Sequence, residues 1–189
     1  MSLEILLSSF GLVLLTELGD KTMLTTLCLS AQYRRPWLVL LSTMSALAVS
    51  SVMAVIVGYV LSASLPIEII TYVSGFLFLA LGIFTLARRE RDDDSCGNPS
   101  TLLGMFSLVL FSELGDKSQI TILALAAQSF YPLYSIMVFI GALGGFLIVN
   151  AIGALAGDRA AARIPMDRVR LATGLVFIFF GVFVLLGFI

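Results

Sequence analysis

Thr16-Glu17-Leu18-Gly19-Asp20-Lys21-Thr22 stands inside an apolar run, and Ser112-Glu113-Leu114-Gly115-Asp116-Lys117-Ser118 repeats it at an offset of 96 residues. The same register carries Phe10 to Phe106, Ala31-Gln32 to Ala127-Gln128 and Pro36 to Pro132. After a three-residue insertion it continues at 99, taking Gly75 to Gly174 and Gly82 to Gly181. The chain is therefore a duplicated unit, and each copy places five charged or hydroxyl residues inside a hydrophobic segment.

Outside the motifs, polar breaks separate six apolar segments: Leu3–Ala31, Trp37–Leu61, Ile67–Ala87, Thr101–Gln128, Leu133–Ala156 and Val169–Phe188. Each meets the roughly 20 residues needed to cross a hydrocarbon core of about 30 Å. None alternates apolar and polar residues as a barrel strand must, so all six are expected to be transmembrane helices. Composition agrees: the 189 residues are 59% hydrophobic and 12% charged, against about 25% charged in a soluble domain. The start of the chain, Met1-Ser2-Leu3-Glu4, lacks the basic region of a cleavable signal peptide, so the first segment is expected to remain a span.

Arginine sets the orientation. Arg34 and Arg35 follow the first segment, Arg88, Arg89 and Arg91 the third, and Arg159, Arg163, Arg168 and Arg170 the fifth, while the second and fourth connections carry no Lys or Arg. The positive-inside rule makes the arginine side cytoplasmic and both termini external. Three spans per repeat is an odd number, so the second copy enters the membrane upside down. The expected fold is an all-α membrane protein of six transmembrane helices, arranged as two inverted-topology three-helix repeats. Residues 1–87 form the first repeat, 88–100 a cytoplasmic linker and 101–189 the second repeat. Asp92-Asp93-Asp94 in the linker reads as a solvated connector that balances the neighbouring arginines.

Glu17, Asp20, Lys21, Glu113, Asp116 and Lys117 are ionisable groups deep in apolar segments. Insertion scales put Asp or Lys at roughly 2.5–3.5 kcal/mol each at a helix centre. Intramembrane charge at that cost marks a functional site. On a continuous helix Glu17 and Asp20 share a face, as do Glu113 and Asp116, and each Glu can pair with the Lys four residues on. A two-fold axis in the membrane plane brings the four carboxylates together. With both lysines charged the cluster sums to −2, which one divalent cation or two protons would neutralise.

Donor chemistry narrows the ion. Histidine is absent, removing the commonest ligand for zinc, copper and nickel. Available oxygens are the carboxylates, the hydroxyls of Thr16, Thr22, Thr25, Ser112, Ser118 and Thr121, and the amides of Gln32, Gln119, Gln128 and Asn150. Such hard donors suit calcium, manganese and magnesium. Gln119 and Asn150 correspond to Met23 and Ala54, so the site need not be symmetric. Cys28 and Cys96 form no metal pair by spacing, and a disulfide between an apolar segment and a polar linker is not expected. Gly19 and Gly115 favour a local break: Leu3–Ala31 as one straight helix would measure about 43 Å at 1.5 Å per residue, longer than the core. The spacings Gly141–Gly145 and Gly153–Gly157 predict close helix packing, and Phe177, Phe179, Phe180 and Phe183 lipid contact or core.

The doubled Glu-Leu-Gly-Asp-Lys-[Thr/Ser] motif resembles that of the Glu-x-Gly-Asp-[Lys/Arg]-[Ser/Thr] cation/proton exchangers (uncharacterised protein family 0016), with members in the Golgi, in chloroplasts and in bacterial inner membranes. The resemblance covers nearly the whole chain, without departure in either copy. It implies proton-coupled transport of Mn²⁺ and Ca²⁺, with Glu17, Asp20, Glu113 and Asp116 as metal ligands. Lys21, Thr22, Lys117 and Ser118 complete the motifs as supporting residues, beside Gln119 and Asn150. Compact loops look like the bacterial branch, hence Mn²⁺ efflux at the cell inner membrane. The metal is then transported substrate, and no cofactor, catalytic residue or nucleic acid partner is expected. Partners are divalent ions, protons and lipid, and the residues do not choose between monomer and homodimer. Two other readings stand beside this one: a small-solute (amino-acid) exporter of similar topology, and a non-transporting membrane scaffold or assembly factor. An enzyme is not expected, since the chain holds no nucleophile–base constellation or phosphate loop.

Overall fold

The computed structural model describes residues 2–87, 101–129, 131–156 and 166–187. The linker 88–100 with its acidic triplet, Arg159, Arg163 and Gly157 lie outside the described residues. Among the described residues the chain forms eight helices and no strand: α1 (Ser2–Glu17), α2 (Lys21–Tyr33), α3 (Pro36–Ser64), α4 (Ile67–Ala87), α5 (Leu102–Glu113), α6 (Lys117–Ala127), α7 (Pro132–Ala156) and α8 (Met166–Leu185). Three of them, α3, α4 and α7 through Leu155, are long and apolar enough to cross a membrane unaided. Large side chains point outward without cover, among them Leu103, Phe111, Trp37 and Phe179. An apolar exterior of that extent is unstable in water and natural in lipid.

Two of the six apolar segments are split, as the glycines predict. α1 ends at Glu17 and α2 starts at Lys21, while α5 ends at Glu113 and α6 starts at Lys117. Gly19 and Gly115 turn the chain with φ of 78° and 82°, a left-handed region that costs any L side chain roughly 1–2 kcal/mol. Splitting changes what adjoins what. The Glu17–Lys21 contact assumed a continuous helix; instead Lys21 begins a re-aimed helix and is exposed, whereas Glu17 is fully buried. Contrary to the sequence expectation, Cys28, five residues before the end of α2, is disulfide-bonded. Cys96, the only other cysteine in the chain, lies outside the described residues.

Packing crosses between the copies. α1 and α2 lie against α7, and the corresponding α5 and α6 lie against α3. Glycine lets these backbones approach: a Cβ on Gly145 would sit 2.9 Å from the Phe10 carbonyl and the Leu14 nitrogen, and one on Gly58 2.9 Å from the Ala127 nitrogen. α4 packs on α8, its own counterpart, with Gly75 facing Gly181 and Gly82 facing Gly174. Residue numbers rise along one helix as they fall along the other, so α4 and α8 run in opposite directions. Because Gly75 corresponds to Gly174 and Gly82 to Gly181, exchanging the copies maps the two contacts onto each other. Phe78 and Phe177, both fully buried, stack beside that seam at 6.0 Å. The outward Phe179 and inward Phe177 share the two roles foreseen for the aromatic run.

Gly82→Ala therefore places a methyl 2.9 Å from the Gly174 carbonyl and should destabilise the protein by about 1–3 kcal/mol through overpacking. Gly11, with nothing within 4 Å of a Cβ, serves as the control: Gly11→Ala should be neutral or stabilising by up to about 1 kcal/mol from helix propensity. Thermal unfolding in detergent, read for both variants against wild type, distinguishes the two effects.

Candidate cation site

Each break leaves an aspartate at the N-cap of the following helix, Asp20 for α2 and Asp116 for α6. An N-cap aspartate ordinarily accepts a hydrogen bond from the second or third helical N–H. Neither does so here, and both hold extended backbone conformations, with ψ of 170° and 168°. Their carboxyls are directed into the protein. One oxygen each from Glu17, Asp20 and Asp116 lies within 4.8 Å of the others. Glu17 and Asp20 are buried and Asp116 is half-buried. The positive ends of the α2 and α6 dipoles thus fall at the same cluster.

Glu17 is the least satisfied member. It is 0% exposed, and neither carboxyl oxygen has a hydrogen-bond partner. A buried unpaired carboxylate costs several kcal/mol, and three charges at such separations add about 3–4 kcal/mol per pair at an effective dielectric constant of about 20. The α2 and α6 N-termini and Lys117 beside Asp116 offset part of that repulsion, and a bound cation or protons would offset the rest. Oxygens bound to one magnesium or calcium lie about 2.0–2.6 Å from it, so three carboxyl oxygens within 4.8 Å of one another are close enough to be drawn onto a single divalent ion. The positive end of a helix reinforces the cluster and cannot replace the ion.

Glu113 is 1% exposed and within electrostatic range of Glu17 and Asp20, yet differently held. Thr22 Oγ1 donates to its Oε1, and Ser118 Oγ donates to its Oε2 at 3.1 Å. The structure thus brings Glu17, Asp20, Asp116, Glu113, Thr22 and Ser118 together and leaves Lys21 outside. Lys117, half-buried, neighbours Asp116. The sum of −2 counted both lysines; with Lys21 exposed the cluster is more negative still.

Gln119 and Asn150 serve the frame. Gln119 Oε1 accepts from the Gly115 N–H at 2.5 Å, and Met23 Sδ accepts from the Gly19 N–H at 3.4 Å. The two residues that differ at this position of the repeat thus perform one task, capping the break. A cavity of about 230 Å³ bounded by Met53, Val57, Gly115, Gln119 and Leu123 adjoins the second break. Asn150 is fully buried; its Nδ2 donates to the Phe146 carbonyl at 2.9 Å and its Oδ1 accepts from Thr26 Oγ1 at 2.8 Å. Ser30 adds a bond of 2.7 Å to the Ala154 carbonyl, so polar links run along the α2–α7 contact.

Sequence reasoning passed over Thr26 and named Thr25 in its place. The signal was there: Thr22, Thr26 and Ser30 recur every fourth residue, which is one face of a helix, and all three are buried. Thr16, Ser112 and Thr121 instead donate to carbonyls of their own helices, Val13, Val109 and Lys117. Gln128 Nε2 does the same with Ala124.

The model of the divalent cation/proton antiporter family GDT1 matches residues 5–93 and 101–188. A protein of Vibrio cholerae described as a candidate manganese exporter is 28% identical over 93% of this chain and 88% of its own. A GDT1-like protein of Synechocystis sp. is 32% identical over 91% of this chain and 93% of its own. The divalent cation/proton antiporter GDT1 of Saccharomyces cerevisiae is 24% identical over 94% and 82%. No solved structure matches.

The conformation of Gly115 yields a prediction separate from transport. A Cβ there meets nothing within 4 Å, so Gly115→Ala should lower stability by roughly 1–2 kcal/mol through backbone strain alone. Asn, which tolerates this region better, should cost less. Thermal melts of the two variants that fail to separate in this order would show that the break does not depend on left-handed geometry.

Proposed function

Because the chain belongs to the GDT1 family of divalent cation/proton antiporters, we propose that it exports Mn²⁺ across a bacterial inner membrane in exchange for protons, with Ca²⁺ as a second substrate. The observation that carries this reading is the Glu17 carboxylate, wholly buried with both oxygens unpartnered in a triangle with Asp20 and Asp116. Glu17, Asp20, Glu113 and Asp116 are the acidic residues that take the cation, and the same oxygens take the protons. A site whose charge is neutralised by either one divalent ion or protons can travel in both forms, which is the basis of exchange. Manganese rather than a softer metal follows from an all-oxygen donor set.

The architecture proposed around the site is six spans in two inverted three-helix repeats, residues 1–87 and 101–189, joined by a cytoplasmic linker at 88–100. α1 with α2 forms one span and α5 with α6 another, each broken near its middle. Several contacts support this. Gly141 lies by Leu6 and Phe10, Gly153 by Met23, and Ala154 by Ser30, so α7 runs with α1–α2. Ser42 bonds to Leu102 and Ser62 to Ser129, so α3 runs with α5–α6. The connections after α2, before α5 and after α7 then leave from one end, the end that bears the arginines. That end is cytoplasmic under the positive-inside rule. Breaks in mid-span beside helix N-termini are a recurrent construction for ion sites in secondary transporters.

The small-solute reading is weakened by the exposure of Lys21, which removes a partner for a substrate carboxylate. A scaffold would gain nothing from an unsatisfied buried glutamate. In proteoliposomes with an imposed pH gradient, the protein should move Mn²⁺ against protons. Asp20→Asn and Asp116→Asn should each reduce flux at least tenfold while the protein stays folded. Mn²⁺ affinity should fall as pH is lowered, because protons compete for the same oxygens. Wild-type protein that moves neither Mn²⁺ nor Ca²⁺, or retains full flux in either variant, would exclude cation exchange at this site.

A further inference from the structure

We infer that Glu17 and Glu113 take turns at the cation, and that Thr22 and Ser118 form one shared hydroxyl clamp that holds whichever glutamate is off duty. The inference rests on the cation site proposed above and extends it to a mechanism of alternation.

The two glutamates occupy the same position of the repeat and are equally buried, yet only one is satisfied. Glu113 accepts from Thr22 of the first copy and from Ser118 of its own, while Glu17 has Ser118 near it, makes no hydrogen bond of normal geometry, and faces Asp20 and Asp116. Thr22 and Ser118 are themselves counterparts. Exchanging the two copies turns the Thr22–Glu113 bond into a Ser118–Glu17 bond, and the Ser118–Glu113 bond into a Thr22–Glu17 bond. The same two hydroxyls are therefore the complete donor set for either glutamate.

They cannot serve both at once. A hydroxyl has one O–H to donate, so two of them satisfy the two oxygens of a single carboxylate and leave the other glutamate without donors. The unclamped glutamate must find a cation or a proton. The aspartates behave differently under the exchange, since Asp20 and Asp116 map onto each other and both stay in the triangle. The mirrored arrangement is thus Glu113 with Asp20 and Asp116, and Glu17 under the clamp. Passing between the two moves one glutamate out of a fixed aspartate pair and the other in. In an inverted repeat that same exchange converts an opening on one face into an opening on the other.

The test measures Mn²⁺ binding by titration calorimetry on detergent-purified protein and Mn²⁺/proton exchange in liposomes, for Glu17→Gln, Glu113→Gln and the double variant. Each single variant should bind Mn²⁺ within about tenfold of wild type, because the remaining glutamate completes the triangle, and each should lose exchange because the cycle needs both. The double variant should lose binding. Loss of binding in Glu17→Gln with wild-type affinity in Glu113→Gln would establish a fixed asymmetric site and overturn the inference. Equal losses of more than a hundredfold in both single variants would establish a four-carboxylate site and overturn it as well. Wild-type protein that binds no Mn²⁺ would instead remove the cation-site reading on which this one stands.

A second arm keeps both glutamates. Thr22→Val with Ser118→Ala should retain Mn²⁺ binding but slow exchange at least tenfold, and the reciprocal swap Thr22→Ser with Ser118→Thr should restore it. Exchange at the wild-type rate without the hydroxyls would overturn the clamp.

Discussion

Everything distinctive about this chain follows from carboxylates held within 4.8 Å of one another in an apolar surround. Folding cannot favour that arrangement by itself, because each group brings desolvation and mutual repulsion. Other features of the structure make it tolerable. Two helix N-termini supply partial positive charge, and two glycines with positive φ aim those N-termini at one point. Two hydroxyls satisfy one glutamate. What remains unsatisfied is the Glu17 carboxylate, which the proposed cation would satisfy.

The scaffold that holds the cluster is built from approach distance. α1 against α7, α3 against α6 and α4 against α8 all meet at glycines where a Cβ would come within about 3 Å of the opposing backbone. In lipid there is no hydrophobic drive between helices, so such close contacts, with buried hydroxyl and amide bonds, supply the association. The bonds from Thr26 to Asn150 and from Thr173 to the Leu15 carbonyl, both 2.8 Å, tie α2 to α7 and α8 to α1. The site-bearing helices are thus fastened to the opposite copy more than to their own.

Much of this was legible in the residues. The duplicated motif gave away the repeat, and its glycines gave away the breaks, since a left-handed turn is the ordinary reason for glycine inside an otherwise apolar span. The convergence of Asp20 with Asp116 followed from the symmetry that the repeat implies. What was not legible is whatever depends on azimuth beyond the break. Helical spacing placed Lys21 beside Glu17, but three non-helical residues reset the direction of the chain and carried the lysine outward. Gln119 and Met23 looked like an asymmetry of the ion site, whereas both cap a glycine N–H, a function that carbonyl oxygen and thioether sulfur can share.

Symmetry also explains why the site is uneven. A two-fold axis through a binding site delivers ligands in pairs, and two identical copies would present Glu17 and Glu113 alike. A transporter that rests with both alike has no preferred face and no direction in which to move. The duplicated sequence resolves this through a shortage of donors: two hydroxyls for two glutamates whose four oxygens need four. Any single conformation must then leave one glutamate wanting, and the symmetric alternative with one bond to each leaves both. The shortage breaks the symmetry of the resting state while the repeat keeps its mirror image close in energy. That pair of near-equal, oppositely directed states is what a cation/proton antiporter needs from its protein.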